Sequence, residues 1–155
     1  MEIIIDNREK QAFTFEGEAY PNTTTVRGSL TVGDYSVKGL ENSIAIERKS
    51  LADLMGCLGV GRERFQREIL RGRALDCFAV VCEGRWRDLV KGKYRSKVKP
   101  ASAIQSVASF MARHRCQFFF AETRPAAEHI TWSLLLQYVK GKNYELKAVE
   151  KALAV

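Results

Sequence analysis

Gly33-Asp34-Tyr35, a turn, and then Ile44-Ala45-Ile46-Glu47-Arg48-Lys49-Ser50-Leu51-Ala52-Asp53 form the stretch from which the rest of the chain can be read. Residues 44–49 alternate in the manner of a β-strand, whose side chains change face at each step. Ala45, Glu47 and Lys49 then share one face, and Ile44, Ile46 and Arg48 the other. A hairpin brings Asp34 beside Glu47. Two carboxylates and an ammonium on adjacent strands suit metal-assisted hydrolysis of a phosphodiester. Carboxylate oxygens hold a hard cation, which polarises a phosphoryl oxygen and acidifies a bound water. The lysine adds positive charge where negative charge develops. A Glu-x-Lys pair alone is more often a solvated face or a weak ion pair. The second acid a hairpin away, and the helix start at Ser50, set this one apart.

Gly33-Asp34-Tyr35 followed by Glu47-Arg48-Lys49, with Asp53 four residues after the lysine, resembles the signature of the XPF family of structure-specific endonucleases. These are PD-(D/E)xK nucleases, with a fold like that of type II restriction enzymes. Asp6-Asn7-Arg8-Glu9 is similar to the family's Asp-x-Arg-Glu after its first strand, and residues 62–68 resemble its arginine-rich helix. The likeness runs from Met1 to the 130s. It implies a three-layer α/β/α fold around a mixed sheet, and a cofactor of one or two Mg2+ or Mn2+ ions. It implies that Asp34, Glu47 and the backbone carbonyl of Arg48 hold the metal, and that Asp6 and Glu9 reach the same ion. Read without the family, Asp6 is equally a turn residue and Glu9 a surface acid. Arg8 either grips the scissile phosphate by two hydrogen bonds or neutralises those acids.

Composition is consistent with this. The chain has 155 residues, 46% of them apolar, enough for one folded domain with its own core. A net charge of +7 and a pI near 9.4 suit a polyanionic partner, of which DNA is the expected one. Cys57, Cys77, Cys82 and Cys116 form no Cys-x-x-Cys pair, and only Cys116 has a histidine (His114) close in sequence, which argues against structural zinc. They read as reduced cysteines in a cytoplasm (prokaryotic or viral host) or a nucleus. No secretory signal or membrane span is legible.

Along the chain, residues 2–6 read as a central strand, apolar on both faces. Thr23 to Leu30 and Tyr35 to Lys38 read as further strands, forming with 44–49 a three-strand meander. Ser50 is an N-cap with Asp53 at N3; Asp53 is alternatively an outer-layer partner of Arg48 or Lys49. On helix 62–73, Arg64, Arg67 and Arg71 share a face opposite Phe65 and Ile69, either as phosphate contacts or as a solvated surface. Residues 76–83 are a buried strand. From Lys91 to Lys99 every second residue is basic, so an extended loop lines up Lys93, Arg95 and Lys97 for a nucleic-acid backbone. Tyr94 faces the other way, available to stack on a base. Pro100 opens a helix with Ala103, Ile104, Val107, Ala108 and Met111 as its buried stripe.

The last helix, about 126–140, is apolar nearly all round, which marks deep burial or a shared surface. The family dimerises through this domain, so the resemblance implies a homodimer or heterodimer through this helix. Gly141 is the expected stop, dividing a nuclease domain (1–141) from a tail (142–155), helical or irregular. The helix-hairpin-helix region of larger family members is not legible after it. The resulting expectation is a metal-dependent DNA endonuclease acting at branched, flap or junction DNA in repair, recombination or replication. A non-catalytic DNA-binding scaffold and a sequence-specific restriction-type nuclease are the alternatives.

Overall fold

The computed structural model describes residues 1–154. Six strands form one mixed sheet: β1 (Glu2–Asp6), β2 (Thr24–Gly28), β3 (Tyr35–Val37), β4 (Ile44–Ser50), β5 (Cys77–Glu83) and β6 (Gln117–Phe120). Their spatial order is β2-β1-β3-β4-β5-β6. The β1/β3 and β3/β4 pairs are antiparallel, whereas β1/β2, β4/β5 and β5/β6 are parallel. Helices α1 (Leu51–Leu58) and α2 (Arg62–Gly72) connect β4 to β5, and α3 (Trp86–Val90) and α4 (Pro100–His114) connect β5 to β6. Helix α5 (Arg124–Leu153) follows β6.

The expected three-strand meander is replaced by a different arrangement. β1 inserts between β2 and β3, and β2 becomes an edge strand. Ile3, Ile4 and Ile5 are all buried, so both faces of β1 are covered, as befits an interior strand. The polar Thr24-Thr25-Val26-Arg27 run is exposed and tolerates an edge. Asp34 and Glu47 still lie on a single hairpin, because β3 and β4 remain adjacent.

Each face of the sheet is covered, giving the three-layer α/β/α architecture. On one side Ala45, Val80 and Phe78 pack with Leu54, Phe65, Ile69, Val107 and Phe110 from α1, α2 and α4. On the other, Ile44, Ile46, Tyr35 and Val81 meet Phe13, Phe15 and Leu135. The alternation along β4 sorts its residues between these two cores.

Two helix expectations change. The buried positions of α4 are Ala103, Ser106, Val107 and Phe110, whereas Ala108 and Met111 are exposed. Phe110 fills the gap between α2 and β6, stacking near Phe65 and Phe118, so the helix is rotated toward it. Helix α5 does not stop at Gly141. A single helical glycine costs only about 1 kcal/mol. Lys142, bonded to Glu145 and paired with Asp76, bridges the position. Among the described residues no helix is long and apolar enough to cross a membrane.

Candidate active site

The site lies at one end of the sheet, where β1, β4 and β5 finish and β3 begins. Parallel strands place ligand-binding groups at their carboxyl ends. Asp34 precedes β3; its amide donates to the Ile46 carbonyl (2.8 Å) and its carbonyl accepts from the Asp6 amide (2.8 Å). This tight crossing needs Gly33. Its φ is +78°, and a Cβ there would sit 2.9 Å from the Ala45 Cβ and 3.1 Å from the Ile46 oxygen.

The Asp34 side chain accepts a hydrogen bond at Oδ2 from the Arg48 amide at 2.8 Å. Lys49 Nζ donates to Glu47 Oε1 on the same strand face. The Glu47 side chain is 4% exposed and that of Lys49 17%. Burial raises Asp34 to about 6, against the help of the Arg48 amide and the Lys49 charge. Burial, followed by the negative charge of Asp34, also pushes Glu47 well above the ordinary carboxylate range, while Lys49 opposes this. Burial works against the Lys49 ammonium, but Glu47 outweighs it and holds the proton on. The ammonium also stands 5.9 Å over the Phe65 ring of α2.

The pattern is of two carboxylates crowded into a poorly hydrated place with a single lysine beside them. A divalent cation would stabilise both charges at once, and the donors are the hard oxygens that Mg2+ and Mn2+ take. No group of three or more His, Cys, Asp or Glu side chains able to hold a metal gathers among the described residues. Asp34 and Glu47 would be the side-chain ligands of such an ion, with a main-chain oxygen beside them.

Asp6 and Glu9 are placed differently from that pair. Asp6 is buried, but its carboxylate takes Arg8 Nε at 2.6 Å, Arg8 Nη2 at 3.1 Å and the Leu30 amide at 2.7 Å. Burial opposes its ionisation, but these bonds outweigh it and hold its carboxyl below the usual range. Glu9 accepts from Arg48 Nη1 at 3.4 Å and from the Gln11 amide at 2.6 Å. Arg8 is thus occupied with Asp6, although its side chain is 72% exposed. Asp53 accepts from Ser50 Oγ at 2.7 Å and its amide donates back at 3.0 Å, the capping arrangement, with no ion pair to Arg48 or Lys49.

A cavity of about 720 Å3 opens beside Lys49, lined also by Asp53, Cys57, Val60 and Arg64. Arg64 is therefore the member of the α2 arginine row that reaches the site. Arg67 pairs with Glu63 at 3.9 Å, and Arg71 is exposed farther along the helix. Lys93, Arg95 and Lys97 are all exposed on the loop before α4. Tyr94 is not presented for stacking: its ring packs on the core and its hydroxyl donates to the Val98 carbonyl at 2.9 Å. Tyr35 is buried and its hydroxyl accepts from the Phe13 amide, a packing role.

One further residue near the site is not among those the sequence pointed to. Glu68 lies three residues after Phe65, on the flank of α2 turned toward Lys49. Its charge raises both Asp34 and Glu47 and supports the Lys49 proton. The spacing from Phe65 was the available signal.

Two solved structures share the fold at 18% identity, both of XPF from Aeropyrum pernix. One aligns with a TM-score of 0.71 over 89% of this chain and 61% of that one. The other, a complex with DNA, gives 0.66 over 91% and 66%. The chain thus spans less than two thirds of either. No curated protein matches the sequence. The family description "ERCC4 domain" matches residues 5–134, which include every carboxylate of the site. With that match covering most of its length, the chain belongs to the ERCC4 domain family, a family of nucleases.

Proposed function

We propose that this chain is a Mg2+- or Mn2+-dependent DNA endonuclease that hydrolyses a phosphodiester bond at branched, flap or junction DNA, in repair, recombination or replication. The observation that carries the proposal is the crowding of the Asp34 and Glu47 carboxylates beside Lys49, whose side chain lines an open cavity. Asp34, Glu47 and the Arg48 carbonyl would hold the cation. When bound, it polarises a phosphoryl oxygen and lowers the pKa of a water. The Arg48 amide keeps Asp34 aimed. Lys49 brings its ammonium to the charge that develops on the phosphate, as an electrostatic stabiliser. Arg64 shares the cavity with Lys49, and Lys93, Arg95 and Lys97 extend the basic surface along the backbone. The DNA complex of the Aeropyrum pernix structure supports DNA as partner.

The part of α5 expected to carry a partner, residues 126–140, keeps Ile130, Trp132, Leu134 and Val139 only partly buried. We assign it to a homodimer or heterodimer contact; a monomer by light scattering at 100-fold dilution and at full concentration alike removes that assignment. All four cysteines are free thiols, which supports a reducing compartment, either cytoplasm or nucleus.

The test is cleavage of a labelled flap by wild type and Asp34→Ala, each with Mg2+ and with chelator. Cleavage by wild type with Mg2+ alone supports the reading. Tight flap binding without cleavage under any divalent metal replaces it with the scaffold reading. Fixed-site cutting of an unbranched plasmid replaces it with a restriction-type reading.

A further inference from the structure

Arg48 stands between Glu47 and Lys49, so its side chain leaves the opposite face of β4. It is 8% exposed. A buried guanidinium is tolerable only when its donors are met, and here three partners meet them. Nε donates to Glu83 Oε1 at 2.6 Å, Nη1 to Glu9 Oε2 at 3.4 Å and Nη2 to Gln11 Oε1 at 3.1 Å. The same Glu83 oxygen accepts from Arg124 Nη1 at 2.9 Å. Arg124 Nη2 then reaches the carbonyls of Gln11 (2.7 Å) and Ala12 (2.8 Å). Both guanidiniums lie against the Phe13 ring, at 4.9 Å for Arg124 and 5.8 Å for Arg48. Glu83 ends β5 in register with Ser50, and Arg124 opens α5.

We propose that Glu83 and Arg124 are positioning residues for the cation site. They fix the Arg48 fork, and through it the main chain that carries Glu47, the Arg48 amide and Lys49. Replacing a buried ion network by apolar packing is often neutral or stabilising, so packing of the second core does not require these charges. What a fork held at Nε, Nη1 and Nη2 supplies is direction. The Arg48 amide bonded to Asp34 Oδ2 is on the same residue as that fork. A shift of β4 at this point therefore moves the aim of Asp34 and Glu47 together.

This inference rests on the metal-dependent reading above, and its test separates the two. Glu83→Gln keeps the shape and removes the charge shared by the two arginines. Mn2+ binding to the full chain is measured by calorimetry, flap cleavage is resolved into kcat and KM, and the melting temperature is recorded. Tyr138→Phe, which deletes a 2.8 Å bond to Asp76 away from the site, is the control for general destabilisation. The expected result is Mn2+ affinity and kcat each lowered about 10-fold or more, within the range for groups that orient metal ligands, with KM for the flap nearly unchanged. Tyr138→Phe should leave affinity and kcat at wild-type values. Where Glu83→Gln does not fold, Arg124→Lys carries the same expectation, because a lysine cannot reach Glu83 and both carbonyls at once. Wild-type Mn2+ affinity and kcat in the folded variant overturn the positioning role and leave the nuclease reading intact. A wild type that neither binds Mn2+ nor cuts overturns both.

Discussion

Asp34→Asn should stabilise the protein in the absence of metal and abolish its response to metal. The carboxyl is pushed up to about 6 from an ordinary value of 3.8, chiefly by burial. The native state therefore holds this proton more tightly than the unfolded chain does. Stability is lost as pH rises from the unfolded value through the folded one, and the full loss applies at pH 7.5. At about 1.4 kcal/mol per pH unit, the gap between 3.8 and about 6 sets an upper limit of roughly 3 kcal/mol. Asparagine keeps an oxygen for the Arg48 amide, but its own amide must find an acceptor, which removes part of the gain. About half should remain, or roughly 1.5 kcal/mol. For a chain of this size that is a rise of about 3–6 °C in melting temperature in EDTA at pH 7.5. The rise should shrink toward zero near pH 4, where wild type is protonated as well. Saturating Mn2+ at about 100 times its Kd should then stabilise wild type by roughly 2.7 kcal/mol and the variant by little. Calorimetric melts with EDTA and with Mn2+ across that pH range measure both effects. A variant that melts below wild type in EDTA, with an undiminished Mn2+ response, refutes the crowded-carboxylate argument.

Other perturbations test other parts of the structure. Replacing Lys93, Arg95 and Lys97 together by Gln should weaken flap binding and reduce the log–log salt slope by up to about 3, if each meets one phosphate; an unchanged slope by fluorescence anisotropy removes the loop from the footprint. Gly33→Ala should destabilise by about 1–3 kcal/mol in urea denaturation, because φ is +78° and the new Cβ falls 2.9 Å from Ala45. Gly141→Ala should stabilise by roughly 1 kcal/mol, since the helix continues through that position with open space around it; a lower melting temperature would contradict a continuous helix.

What was legible in the amino-acid sequence was local. The alternation of 44–49 assigned Glu47 and Lys49 to one face and Arg48 to the other before any pairing was known, because the period of a strand is intrinsic to its backbone. Ser50 and Asp53 announced the start of α1 for the same kind of reason: an N-cap satisfies amides within one turn. The hairpin that joins Asp34 to Glu47 is also a short-range matter. The tertiary structure decided what depended on partners distant in the chain. β2 went to the edge, where its exposed polar run is tolerated, and buried β1 took an interior place. Glu9 was drawn to Arg48, 39 residues away, since a buried carboxylate takes whichever cation the fold brings nearest. Arg48 found Glu83 and Arg124 at sequence distances of 35 residues and 76 residues, a meeting that no local pattern encodes. Periodicity determines which way a side chain points; only the packed sheet determines what it meets there.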